Sequence, residues 1–217
     1  MKATLSRRTP LVYLISDRQT LARRSRRPDT TALIDFLRAA FTAGVDLIQL
    51  RERDLAPRDL LAIADAITPA ARRHGAALLI NDRADLAACA GAGVHLTTRS
   101  MPADAVRRVF GQSLLIGAST HSLAEALAAA DAGADFIVFG PVFETESKKA
   151  YGPPVGLAAL REVVERLPIP VVALGGIKPC NFQAALETGA AGVAAISMFV
   201  EAADLGGLVR QIKRNHR

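Results

Sequence analysis

Gln49, Arg51 and Arg53 alternate through the segment QLRER. In an extended strand every second side chain faces the same way. Three long polar groups on one face are costly to cover unless they meet acids or a ligand. Glu52, Asp54 and Asp82 could neutralise them. Guanidinium forks also match carboxylate and phosphate, and ligand contact is the preferred reading. Comparable groups recur after other apolar runs. Asn81 and Asp82 follow AALLI, and Asp82 could hold Mg²⁺ or cap the next helix. His121 follows Ser119 in STHS, a segment suited to proton transfer or to helix capping. The loop FGPVFETESKK carries Thr145, Ser147 and Lys148, which could place hydroxyls and a cation on an anionic ligand and close over it. LGGIKP and AISMF contribute Gly175, Gly176, Ile196 and Ser197, where free backbone N–H groups and one hydroxyl could cradle a phosphate.

Something must bring these segments together. Eight short apolar runs, 11–16, 45–51, 76–81, 92–97, 114–119, 134–140, 170–176 and 191–197, alternate with amphipathic stretches such as TTALIDFLRAAFTAG and GLAALREVVERLP. The runs are continuous rather than alternating, as in parallel strands covered on both faces. Eight such units predict a single (β/α)8 TIM barrel over 1–217. A doubly wound sheet is the rival, but no GxGxxG opens the first helix. Glycine-containing segments precede runs two, four, six and eight (TAGVD, GAGVH, DAGAD, TGAAG), an echo of two-strand units. In such barrels active sites lie at the C-terminal strand ends, where all the groups above fall.

Composition narrows the function classes. The chain has 217 residues, half of them apolar, as a globular domain requires. No apolar run approaches the roughly 18 residues of a membrane span, and a cytoplasmic location is expected. Cys89 and Cys180 stand far apart with no metal-ligand spacing, and the four histidines form no HExxH. Residues 1–30 hold eight basic and two acidic residues, so the whole formal charge of +6 resides there. The charged segment at about 18–29 reads as a flexible basic loop without interleaved aromatics, which argues against a nucleic-acid partner.

The motifs YLISDR, LIQLRERD, LLINDRADLA, GVHL, GASTHS, GADFIVFGPVFETESKK, GLAALREV, IPVVALGGI and GAAGVAAIS, in one register from Leu11 to Phe199, resemble the thiamine phosphate synthase and thiazole tautomerase superfamily. The resemblance implies a TIM barrel, thiamine biosynthesis and a phosphorylated thiazole ligand, and it leaves room for a homo-oligomer. Carried over residue by residue, it implies substrate contacts at Gln49, Arg51, Asn81, Ser119, Thr145, Ser147 and Lys148, a phosphate site at the glycine pair and Ser197, and a metal ligand at Asp82. Two positions depart from the synthase pattern: Arg53 stands for its lysine, and Ser100 for its second metal-binding aspartate. RER and FGPVFETESKK look closer to the tautomerase branch. That branch aromatises a carboxythiazole phosphate by proton transfer through a histidine matching His121, and needs no cofactor. The alternatives are a Mg²⁺-dependent synthase, joining hydroxymethylpyrimidine pyrophosphate to thiazole phosphate, and a non-catalytic binder of thiazole or thiamine phosphate.

Overall fold

A computed structural model of the chain describes residues 5, 9–25, 30–145 and 153–214. Eight parallel strands close into a barrel in sequence order: β1 (Leu11–Ile15), β2 (Leu47–Leu50), β3 (Ala77–Asn81), β4 (Gly93–Leu96), β5 (Ile116–Thr120), β6 (Phe136–Phe139), β7 (Val171–Leu174) and β8 (Gly192–Ala195). The pairing Leu11↔Gly192 closes the ring. Every expected run coincides with one strand, most strands starting or stopping a residue or two inside the run and β5 ending one residue past it. The helices are α1 (Arg18–Ser25), α2 (Thr30–Thr42), α3 (Pro57–Arg73), α4 (Ala84–Ala90), α5 (Ala103–Phe110), α6 (Leu123–Asp131), α7 (Gly156–Arg166), α8 (Phe182–Leu186), α9 (Ser197–Val200) and α10 (Leu205–Arg214). Among the described residues, no helix is long and apolar enough to cross a membrane.

Strand alternation sorts the apolar side chains into two layers. Leu11, Tyr13, Leu47, Leu79, Leu115, Phe136, Val138 and Val172 fill the barrel interior. Val12, Leu14, Ile48, Ile80, Ile137 and Ala173 point outward and pack with the helices. The same alternation places Gln49, Asn81, His95 and Ser119 on the inner face, at or near the C-terminal strand ends. Gly117 gives Phe136 its space: a Cβ there would lie 2.3 Å from the ring.

Two acids, Asp46 buried and Asp135 partly so, tie the opposite end. Asp46, just before β2, accepts from the Val12 amide at 3.0 Å and from Lys213 at 2.9 Å. Asp135, just before β6, accepts from the Ile116 amide at 2.7 Å and from Arg107 at 2.6 Å.

The segment expected as a flexible basic loop is corrected by α1, while 26–29 lie outside the described residues. Asp17 supplies the cause. Its carboxylate accepts from the Gln19 and Thr20 amides at 3.0 and 3.2 Å and from the Thr20 hydroxyl at 2.8 Å. That is N-terminal capping of donors a helix leaves open. Leu21 is buried beneath the helix.

Candidate active site

A cavity of about 380 Å³ opens above the C-terminal ends of β2, β3 and β4, lined among others by Glu52, Arg53, Asn81, Asp82, Arg83, Thr97 and Arg99. It gathers three guanidinium groups. Arg83 is paired with Asp85 at 2.5 Å. Among the described residues, no carboxylate lies within ion-pair distance of Arg53 or Arg99. Two of the three acids expected as neutralisers of QLRER, Glu52 and Asp54, are engaged elsewhere. Glu52 accepts from the Ser16 hydroxyl at 2.6 Å and from the Arg18 amide at 3.1 and 3.2 Å, and Asp54 pairs with Arg18 at 2.6 Å. The Ser16 oxygen in turn accepts from the Arg51 amide at 2.9 Å. Glu52 therefore anchors the start of α1 to the β2 exit. Burial raises its pKa, opposed by the Ser16 and Arg18 hydrogen bonds.

β2 ends at Leu50, so of the expected alternation only Gln49 lies in the strand; Arg51 follows its end, and Arg53 lies further out, exposed on the cavity wall. Gln49 is buried and donates to the Asn81 side-chain oxygen at 3.5 Å. Arg51 is half-buried, and its pKa is lowered first by desolvation and then by Arg53, against the pull of Asp17 and Glu52.

Asp82 does not cap α4, the structural role it could have had: Arg83 holds the N-cap position, with no side-chain cap. Among the described residues Asp82 is the one non-glycine with positive φ, at 57°, a conformation that costs energy and often marks a site. Its amide donates to the His95 carbonyl at 2.9 Å. Ser100 is turned into its own loop, accepting from the Thr97 amide at 2.7 Å and sharing a 3.0 Å hydrogen bond with the Thr97 hydroxyl. No group of three His, Cys, Asp or Glu able to hold a metal occurs among the described residues. The Asp82 carboxylate with the Asn81 and Thr97 oxygens is a hard oxygen set with one negative charge. These residues line one cavity, and such a set resembles the few protein oxygens that Mg²⁺ takes together with phosphate and water rather than a cage of protein ligands.

Next around the ring, His121 follows β5, the neighbour of β4. Ser122 and Glu125 do the capping: the Ser122 side chain accepts from the Glu125 amide at 3.2 Å, and Glu125 accepts from the His121 amide at 2.7 Å. The His121 ring is left for another partner, and its Nδ1 donates to the Gly140 carbonyl. In the neutral ring, Nε2 then carries the lone pair.

Gly175 and Gly176, at φ 94° and 65°, sit beneath the loop after β6. A Cβ on Gly175 would lie 2.5 Å from Pro141, and one on Gly176 2.4 Å from the Glu144 carbonyl. Packing alone thus demands both glycines. Ile196 and Ser197 follow β8, which pairs with β7, so the four expected phosphate-site residues share one corner. α9 has four residues, so the backbone amides rather than an extended helix dipole are what the corner offers. Thr145 is half-buried in the loop after β6, while Ser147 and Lys148 lie outside the described residues.

One arrangement escaped sequence reasoning. Tyr13, His95 and Ser119 form a hydrogen-bonded chain through the barrel interior, with Tyr13 Oη 3.1 Å from His95 Nδ1 and His95 Nε2 2.8 Å from Ser119 Oγ. Burial, reinforced by Arg51, lowers the His95 pKa to about 3. Burial also pushes the Tyr13 phenol well up. Strand parity could have placed each residue inward, but only the barrel register makes them meet.

A family model described as thiamine monophosphate synthase matches residues 12–199. A putative thiamine-phosphate synthase of Geobacter sulfurreducens is 48% identical over 190 residues, covering 87% of this chain and 86% of that protein. A thiamine-phosphate synthase of Roseiflexus sp. is 38% identical over 195 residues, covering 89% and 80%. The solved thiamine phosphate pyrophosphorylase from Pyrococcus furiosus superposes with a TM-score of 0.82 at 32% identity, covering 99% of this chain and 96% of that one.

Proposed function

The chain belongs to the thiamine monophosphate synthase family of thiamine biosynthesis, and we propose that within it the protein is a thiamine-phosphate synthase. It would join hydroxymethylpyrimidine pyrophosphate to thiazole phosphate and expel pyrophosphate. This reverses the order expected from RER and FGPVFETESKK, which pointed first to the tautomerase branch, because the relatives above carry synthase names.

The observation that carries the reading is a mouth with two anion-ready sides. The arginine-lined cavity lies over β2–β4, and the glycine–serine corner lies at β7 and β8, about half a turn around the closed ring. A reaction between two phosphorylated substrates needs both. In this reading Arg53 and Arg99 hold the pyrophosphate, and Asn81 and Asp82 hold the Mg²⁺ that it brings. The Gly175, Gly176, Ile196 and Ser197 corner holds the thiazole phosphate. Gln49, Arg51 and Ser119 line the centre, with Thr145, Ser147 and Lys148 supplied from the loop after β6. Bound Mg²⁺ would spread the charge that grows on the departing pyrophosphate.

His121 favours a second reading. Its Nδ1 bond to Gly140 leaves Nε2 as a base, which suits the tautomerase. A paired assay separates them. The synthase reading expects thiamine phosphate from both substrates with Mg²⁺. Aromatisation of carboxythiazole phosphate alone, lost about 10²-fold or more in His121→Ala, would replace it. Tight binding without either turnover would leave a binding protein.

A further inference from the structure

The Tyr13–His95–Ser119 chain has a direction that its chemistry dictates. A neutral imidazole has one donor nitrogen and one acceptor nitrogen, and His95 is buried with two neutral hydroxyls, and no carboxylate, as its side-chain partners, so the ring is held uncharged. Two tautomers are then open. With the proton on Nδ1, His95 donates to Tyr13, and the phenol proton is stranded. Tyr13 is fully buried, and among the described residues its hydroxyl meets His95 alone. With the proton on Nε2, Tyr13 donates to Nδ1, and Nε2 donates to Ser119 Oγ. Every buried group is then satisfied, which is how buried polar groups are ordinarily found. The Ser119 oxygen is occupied as an acceptor, and its own proton is free.

Packing holds this order in place. Phe136 meets the Tyr13 ring edge-on at 5.8 Å and 71° and the His95 ring at 6.5 Å. Phe136 fits only because residue 117 has no Cβ. Ser119 is half-buried on the inner face near the end of β5, where the chain reaches the mouth. Among the described residues its hydroxyl meets no group except His95.

We propose that Tyr13 and His95 are positioning residues that fix Ser119 as a one-way hydrogen-bond donor to an acceptor atom, an unprotonated ring nitrogen or an oxyanion, of the bound substrate. At this point the site would reject a group that can only donate. The choice of probes rests on the synthase reading. The tautomer does not.

Two measurements test it on the full-length protein. The first is ¹⁵N NMR of histidine-labelled free protein. His95 is expected as the Nε2–H tautomer, and Tyr13→Phe should shift the population toward Nδ1–H. A wild-type His95 protonated on Nδ1, or on both nitrogens at neutral pH, overturns the proposal even if neither substrate binds. The second measures affinity for hydroxymethylpyrimidine pyrophosphate and for thiazole phosphate separately, which identifies the substrate carrying the acceptor. Tyr13→Phe and Ser119→Ala should each weaken binding of the same substrate, by roughly three- to tenfold, the scale of one hydrogen bond. The double variant should be no weaker than Ser119→Ala, because Tyr13 acts only through Ser119. Additive losses, or losses on different substrates, overturn it. Failure of the wild type to bind either substrate would count against the synthase reading instead.

Discussion

His95 gives the barrel interior a source of acid sensitivity. Its pKa is about 3 in the folded chain, against about 6.5 for an unperturbed histidine. Between those values the unfolded chain binds the extra proton, so stability rises with pH across the window. The contribution is complete above about 6.5 and is lost as pH falls toward 3. Urea midpoints should therefore decline on acidification, and His95→Gln should flatten this part of the decline, bringing the two curves together at low pH. Parallel curves would show that the ring is not the cause. Side-chain type and strand parity suffice to place Gln49 and Asn81 on the inner face near the mouth, where their side chains meet, but not to place Arg53, which lies beyond the strand. The sequence does not show that Tyr13, His95 and Ser119 meet, because their contact depends on the barrel register. It also leaves Glu52 as a mere neutraliser of arginines, whereas the carboxylate ties Ser16 and the α1 amide to the β2 exit.

At the scale of elements, the loop between β4 and α5 decides how the cavity can hold a cation. Ser100 closes that loop on Thr97. Aspartate can accept the same amide bond and would add the second carboxylate that Mg²⁺ commonly uses beside a substrate phosphate. Ser100→Asp should therefore lower the Mg²⁺ concentration for half-maximal coupling several-fold, with unchanged stability. An unaltered Mg²⁺ dependence would mean that residue 100 does not face the ion. The eight strands and the main helices were legible because continuous apolar runs and amphipathic stretches have different periods. α1 was not. RQTLARRS reads as a solvated charge run, and its helicity depends on the Asp17 cap and on Leu21 docking, a tertiary contact.

For the whole molecule, the two anchoring acids and the candidate site lie at opposite ends of the barrel. Asp46 and Asp135 occupy matching places before β2 and β6, four strands apart, each accepting the amide of a residue in the preceding strand. The TAGVD and DAGAD segments carry this echo in the sequence, although the pairing of the acids with Lys213 and Arg107 could not be read there. Arg107 is buried and donates to the carbonyls of Gly133 and Leu114 as well as to Asp135. Arg107→Ala should cost about 3–5 kcal/mol, the range for breaking a buried pair, while the exposed Arg108→Ala leaves the urea midpoint unchanged. Catalysis per folded molecule should persist in both, since neither residue approaches the mouth. A loss of turnover in folded Arg107→Ala would show that the two ends are coupled.

If one mouth takes two phosphorylated substrates at once, ³¹P NMR of the purified chain with both substrates and Mg²⁺ will show them coupled. Thiamine phosphate and pyrophosphate should appear in equal amounts, and neither should form when the thiazole phosphate is omitted. Release of pyrophosphate without its partner, or unchanged spectra from a protein that aromatises carboxythiazole phosphate, would contradict it.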